Sequence, residues 1–329
     1  MLRKTLFLQV KDFLLLLTGK KFIGTSFSLI ALSLLFFPNQ GYYELLQSQW
    51  QEAPLIRSHF VIPPPVLYPV NATGTMPPEL TARGILIMDP LSAVRLLEKN
   101  INEELPTAST AKMMTALVAI DQFGPQDVLV VPKLVDQGQD IKLFEGEQMT
   151  AENILYGLLV ASANDAAETF AANYPEGKES FINKMNEKAF KLGLKNTHFT
   201  NPAGLDEQGE YTSAFDLAIL AKQALYNPYF ARIVSTQAID LTSVDGKSVH
   251  KISNINQLLG KVEGVNGVKT GWTDNAGECL VTSIDRDGRK IIIVVLGSKD
   301  RFGETEKLIN WVYSNFKWSE PQLPENLKS

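Results

Sequence analysis

The sequence predicts an α+β fold: an antiparallel sheet formed by strands from both ends of one domain, with a helical cluster inserted between them, preceded by an N-terminal transmembrane segment. Three observations predict it. Strand-period runs stand at 84–99 and 279–298, at the two ends of the region concerned. Between them the apolar residues recur at helical spacing, and strands that enclose a run of helices point to a sheet closed by both ends of the domain. Ahead of this region, Phe22–Phe37 is sixteen residues without a charge.

The N-terminal element rests on charge as well as hydropathy. Residues 1–30 carry Arg3, Lys4, Lys11, Lys20 and Lys21 against Asp12 alone, a net +4 in a chain of net charge −5. A basic segment 1–21 followed by an apolar segment 22–38 resembles a signal anchor with its N-terminus in the cytoplasm by the positive-inside rule. Sixteen residues is short for a span and long for a secretory core, so a cleaved signal peptide is the alternative, although no small-residue cleavage site follows. A buried helix is a poorer reading, because it has no need of five flanking cations. The rest of the chain is then expected on the outer side of the cell membrane, as a single-pass protein.

Residues 39–80 contain Pro54, Pro63, Pro64, Pro65, Pro69, Pro77 and Pro78. That density reads as an extended linker that excludes helix and sheet. The domain proper is expected over 81–317. Two strands, 84–89 and 94–99, flank Pro90-Leu91-Ser92-Ala93 as a hairpin. From Ser109 a helix is expected, with Met113, Leu117 and Ile120 on one buried stripe. Further helices are expected at 150–161, 165–173, 178–192 and 213–226, the last opened by Ser213 with Asp216 three residues on. A second hairpin, 279–285 and 289–298, turns at Arg286-Asp287-Gly288, and a helix follows from about 304 to 316. The tail, 318–329, reads as loose surface.

Composition narrows the chemistry. The chain has 329 residues, 45% hydrophobic and 20% charged, which suits a globular protein and excludes disordered, collagen-like and disulfide-framework classes. Length alone leaves one large domain or two small ones. No basic field exists for nucleic acid. Cys279 is the single cysteine, so no intramolecular disulfide can form, and it reads as a small buried strand residue. His59, His198 and His250 have no metal-binding spacing and read as surface or loop residues; no metal and no cofactor is expected.

Three short patterns carry the chemistry: Ser109-Thr110-Ala111-Lys112, Ser162-Ala163-Asn164 and Lys269-Thr270-Gly271. Taken singly, they read as a solvated helix turn, a helix cap and a strand-end turn. Their order within one domain sets those readings aside. Ser109 opens an apolar helix, where free N–H groups and the positive dipole end favour developing negative charge. Lys112 shares its face, and a lysine can deprotonate a serine only where burial or a nearby cation keeps it neutral. Lys269 could be that cation.

These motifs resemble the signature of serine penicillin-recognising enzymes. The segments EELPTASTAKMMTALVAID, SANDAAE, FINKMNEKAFKLGLKNTHFTNPAGLD, SNINQLL and GVKTGWTDNAGECL are similar to the D-alanyl-D-alanine carboxypeptidases, the low-molecular-mass penicillin-binding proteins of peptidase family S11, from about Ala82 to Trp311. The resemblance implies a β-lactamase/transpeptidase-like fold. It implies that Ser109 attacks the terminal D-Ala-D-Ala bond of peptidoglycan stem peptides, that Lys112 takes its proton, and that β-lactams acylate the same serine. It implies an oxyanion site at the N–H groups of Ser109 and Trp272, with Gly271 allowing close approach. Ser162, helped by Lys269, would protonate the leaving amine; Asn164 would hold Lys112 and the substrate amide. Lys269 and Thr270 would bind the terminal carboxylate, with Arg301 as a possible assistant.

Departures from the family pattern are also legible. Ala163 stands where glycine is usual, and its added β-carbon could narrow the cleft, although relatives tolerate other residues there. The C-terminal β-rich domain and amphipathic helix of many relatives do not fit in the eleven residues after Trp318. A class A β-lactamase is disfavoured, since no Glu-x-x-Leu-Asn follows Asn164. An endopeptidase or transpeptidase on the same stem peptides, and a penicillin-binding sensor without turnover, remain as alternatives.

Overall fold

The computed structural model describes residues 66–133 and 138–321, all within a compact unit that begins at Pro64. The basic segment, the expected anchor 22–38, residues 39–65 of the linker and 322–329 of the tail lie outside the described residues. Among the described residues no helix is long and apolar enough to cross a membrane.

The main sheet has five antiparallel strands in the order β3-β2-β10-β9-β8. Its N-terminal members are β2 (Gly84–Met88) and β3 (Arg95–Lys99), and its C-terminal members β8 (Val265–Thr273), β9 (Gly277–Arg286) and β10 (Arg289–Ser298). The α+β fold class is therefore as expected, with both hairpins in place. The central strand β10 shows why the sheet is apolar on both sides. Ile291, Ile293 and Val295 face one core with Leu308, Ile309 and Val312, while Ile292, Val294 and Leu296 face the other with Met113 and Leu217. A period of two distributes one strand between two cores. Each of these fully buried side chains contributes about 1.5–3 kcal/mol.

The helices between the hairpins are α1 (Lys112–Gln122), α2 (Ala151–Val160), α3 (Asn164–Asn173), α4 (Lys178–Lys191), α5 (Ala214–Leu225) and α6 (Pro228–Val234), and α7 (Arg301–Asn315) follows β10. Side-chain caps start several of them: Thr150 Oγ1 accepts from Asn153 N at 3.2 Å, and Ser213 Oγ from Asp216 N at 3.1 Å. α7 begins three residues before the expected 304, because Asp300 caps it through Gly303 N at 2.9 Å. The short helix α6 was not expected; Asn227 caps it and Pro228 occupies its first turn.

Small two-stranded sheets complete the unit: β4 (Val128–Val130) with β5 (Gln148–Thr150), β6 (Ala238–Thr242) with β7 (Val249–Ser253), and β1 (Tyr68–Asn71) with β11 (Phe316–Ser319). The last pair corrects two expectations. The Pro-rich stretch does contribute a strand, with Pro69 opposite Trp318, because a two-stranded ribbon consists only of edges and an edge tolerates proline. The expected boundary at 317/318 falls inside β11, so the start of the tail is ordered against the domain. A buried carboxylate ties the same region together: Glu304 accepts from Ala82 N at 3.2 Å and Ser298 Oγ at 2.6 Å.

Candidate active site

Ser109 lies in a single 3-10 turn, Ala108–Ala111, that runs directly into α1. Ala108 holds φ at 44°, a left-handed bend that turns the chain into the helix. Two glycines let backbone close around this turn. A Cβ on Gly204, itself at φ +75°, would fall 1.9 Å from Ala108 O, and one on Gly271 would fall 2.9 Å from Ala108 Cβ and 3.1 Å from Ser109 N. β8 therefore lies against the turn that bears the serine.

Lys112 is fully buried behind Ser109. Its Nζ lies 2.9 Å from Ser109 Oγ, 2.7 Å from Asn164 Oδ1 and 2.8 Å from Ala203 O. The loop that presents Ala203 is wound on Asn201, whose Oδ1 accepts from the backbone N of Ala203, Gly204 and Leu205. Burial pushes the Lys112 ammonium down to about 7, against the opposing pull of Asp140, Asp165 and Glu168. A neutral amine has two hydrogens and one lone pair. Asn164 Oδ1 and Ala203 O can only accept, so they take both hydrogens and leave the lone pair to the Ser109 hydroxyl.

A second lysine–serine pair faces the first. Lys269 on β8 is 1% exposed, and its Nζ donates to Ser162 Oγ at 2.7 Å and Thr270 O at 2.9 Å. Burial, then the charges of Lys112 and Arg301, hold it well below the usual ammonium range. Ser162 occupies a left-handed conformation, φ 61°, between α2 and α3, and so presents its hydroxyl across the cleft. Asn164 is the first residue of α3, and its N–H donates to Gln139 O at 2.7 Å.

The two pairs share a cleft of about 450 Å³. Ser109, Ser162, Asn164, Thr270, Gly271 and Trp272 line it; Lys112 and Lys269 stand behind their serines. All eight residues singled out in the sequence are thus brought together. Trp272 stands at the rim, 58% exposed. Thr270 Oγ1 is buried with no hydrogen-bond partner among the described residues, and Arg301, the first residue of α7, donates from Nη1 to Gly271 O at 2.7 Å.

Other expectations change. Ala163 is buried and absent from the cleft lining, at an ordinary φ of −65°, so its methyl does not narrow the cleft. His250 is not a surface histidine: its side chain is 11% exposed and bonded to Glu147. Cys279 is buried as expected, and burial raises its thiol to about 11. Asp206 was given no role by sequence reasoning; its carboxylate accepts from Thr273 Oγ1 at 2.7 Å and Asn275 N at 3.1 Å, steadying the loop after Trp272. Only its place in the NPAGLD segment could have drawn attention to it.

Residues 71–300 match the family model described as D-alanyl-D-alanine carboxypeptidase, Peptidase_S11. The chain is 34% identical over 246 residues to D-alanyl-D-alanine carboxypeptidase DacF of Bacillus subtilis, a match that covers 72% of this chain and 63% of that relative. It thus spans less than two thirds of that relative's length. The crystal structure of the Streptomyces K15 DD-transpeptidase superposes with a TM-score of 0.69 at 30% identity, covering 73% of this chain and 100% of that one. Penicillin-binding protein D2 of Listeria monocytogenes in its ampicillin-bound form gives 0.64 at 28% identity, covering 72% and 100%.

Proposed function

Because the chain belongs to the D-alanyl-D-alanine carboxypeptidase family, peptidase family S11, we propose that it is a serine-type D-Ala-D-Ala carboxypeptidase that trims peptidoglycan stem pentapeptides and is acylated by β-lactams. The observation that carries this reading is the pair of buried lysines, each within 3 Å of its own serine, at one cleft. In the proposed reaction Ser109 Oγ forms a bond to the carbonyl carbon of the penultimate D-alanine as its proton passes to Lys112 Nζ. The N–H groups of Ser109 and Trp272 hold the oxyanion. The C–N bond then breaks, and Ser162, supplied through Lys269, protonates the departing amine of D-alanine. Lys112 gives up to solvent the proton it took, and water then attacks the remaining ester with the neutral Lys112 again as base, its proton passing to Ser109 Oγ as the acyl C–O bond breaks.

Recognition of a chain end follows from charge. Among the described residues no carboxylate pairs with Lys269, and a terminal carboxylate would supply a counter-ion, favouring its ammonium form and giving the buried Thr270 hydroxyl an acceptor. The test is D-alanine release from a stem pentapeptide by the detergent-extracted full chain. Release supports the carboxypeptidase. A stable penicillin adduct without release, accompanied by cleavage of cross-linked dimers or by transfer to an added amine, would replace it with an endopeptidase or transpeptidase; an adduct with none of these would leave a sensor.

We further propose that residues 22–38 anchor the protein in the cell membrane, with the catalytic unit outside and residues 39–65 as a spacer. The basic flank and the sixteen uncharged residues support this. Terminal sequencing of membrane-extracted protein is expected to find the intact N-terminus. A new terminus between residues 35 and 50 would show a cleaved signal peptide instead.

A further inference from the structure

Residues 138–143 form a strap beside the start of α3, and Gly138 and Gln139 line the cleft. One set of fastenings comes from α3. Asp165 N donates to Asp140 Oδ1 at 3.1 Å, and the Asp165 carboxylate accepts from Ile141 N at 3.1 Å and Leu143 N at 3.0 Å. The other comes from β7, far along the chain. His250 Nδ1 lies 3.0 Å from Ile141 O, and its Nε2 lies 2.8 Å from Glu147 Oε1. Glu147 Oε2 accepts in turn from Phe144 N at 3.3 Å.

The geometry of the ring is informative. Ile141 O can only accept, and so can the Glu147 carboxylate, whose side chain is 1% exposed. A ring with both nitrogens protonated donates to both acceptors, and a neutral ring donates to one of them. The remaining charges on this hairpin, Asp240 with Lys251 at 3.9 Å and Asp245 with Lys247 at 3.2 Å, are all on side chains more than half exposed.

We propose that His250 and Glu147 are a positioning pair for the active site: they hold the strap so that Gln139 lines the cleft and Asp140 stays bonded to Asp165 N at the start of α3. This rests on the peptidase reading above. The ionisable groups that act on Lys112 are Asp140, Asp165 and Glu168, which favour its charged form, and Lys269, which opposes it. Of the three carboxylates only Asp140 is on the strap. Letting the strap go moves a negative charge away from the amine, which favours the neutral form and carries the rising limb of the acylation rate to lower pH. A latch that served only stability would lower the melting temperature and leave that limb in place.

The test is the rate of benzylpenicillin acylation of the full chain from about pH 5.5 to 9.5, a range that spans both sides of the Lys112 transition, in wild type, His250→Gln, Glu147→Gln and Asp140→Asn. Both latch variants are expected to lose on the order of 10²-fold in plateau rate, the loss that a misplacement of about 1 Å at a site can bring, and to shift the limb to lower pH. Asp140→Asn is expected to shift the limb in the same direction. Folded latch variants with wild-type plateau and limb would overturn the proposal. Should those variants fail to fold, an unmoved limb in Asp140→Asn overturns it instead. A wild-type chain that is not acylated at all would sink the peptidase reading, a separate outcome.

Discussion

Ser109→Ala abolishes covalent labelling by benzylpenicillin and lowers D-alanine release on the order of 10⁶-fold, the loss expected when the nucleophile of a concerted group is removed. The fold survives. Ser109 is only partly buried, and the hydrogen bond its hydroxyl loses is the one to Lys112, so its removal costs about 0.5–1.5 kcal/mol. No other hydroxyl can take over. Ser162 Oγ is engaged by Lys269, whose amine also donates to Thr270 O. Intact-protein mass spectrometry reads the result directly. An adduct that persists in Ser109→Ala, mapped to Ser162 or Thr270, would show that the nucleophile is misassigned.

What the sequence makes legible is local in character. The stripe of Met113, Leu117 and Ile120, the cap at Ser213 and the alternation of β10 each depend on residues within one or two turns or strands, and each is found where expected except that Ile120 is only half-buried. β8 is different. VNGVKTGWT has two glycines and no clean alternation, and its strand state comes from pairing with β9 and from Gly271 lying against the Ser109 turn. The same holds for β1, where seven prolines in the surrounding stretch argue against sheet, yet the partner at 316–319 supplies the hydrogen bonds. At the site, the three motifs are readable because each is a short string. His250 and Glu147 stand 103 residues apart, and Lys112 meets Ala203 across 91. No periodicity reports such contacts, and a lone histidine in a polar strand reads as surface until the fold encloses it.

The state of Lys112 sets the second large effect. With its ammonium lowered to about 7 by burial, about a tenth of the amine is neutral at pH 6 and about nine tenths at pH 8. Only the neutral amine can accept the Ser109 proton. The sign is therefore fixed: the acylation rate of the wild type rises with pH through about 7 and levels off above 8, the reverse of what a required ammonium at this position would give. Lys112→Arg keeps a cation that cannot deprotonate, and Lys112→Met keeps the volume without a base; both are expected to lose on the order of 10²–10⁴ in acylation rate at pH 8, the usual contribution of a positioned base. Met also leaves Asn164 Oδ1 and Ala203 O without this donor, so the arginine variant is the cleaner probe of protonation. The measurement is the benzylpenicillin acylation rate between pH 6 and 9 in all three proteins. A wild-type rate that stays flat from pH 6 to 8, or an arginine variant as fast as wild type at pH 8, would remove Lys112 from the role of base and leave Lys269, bonded to Ser162 at 2.7 Å, as the amine to examine next.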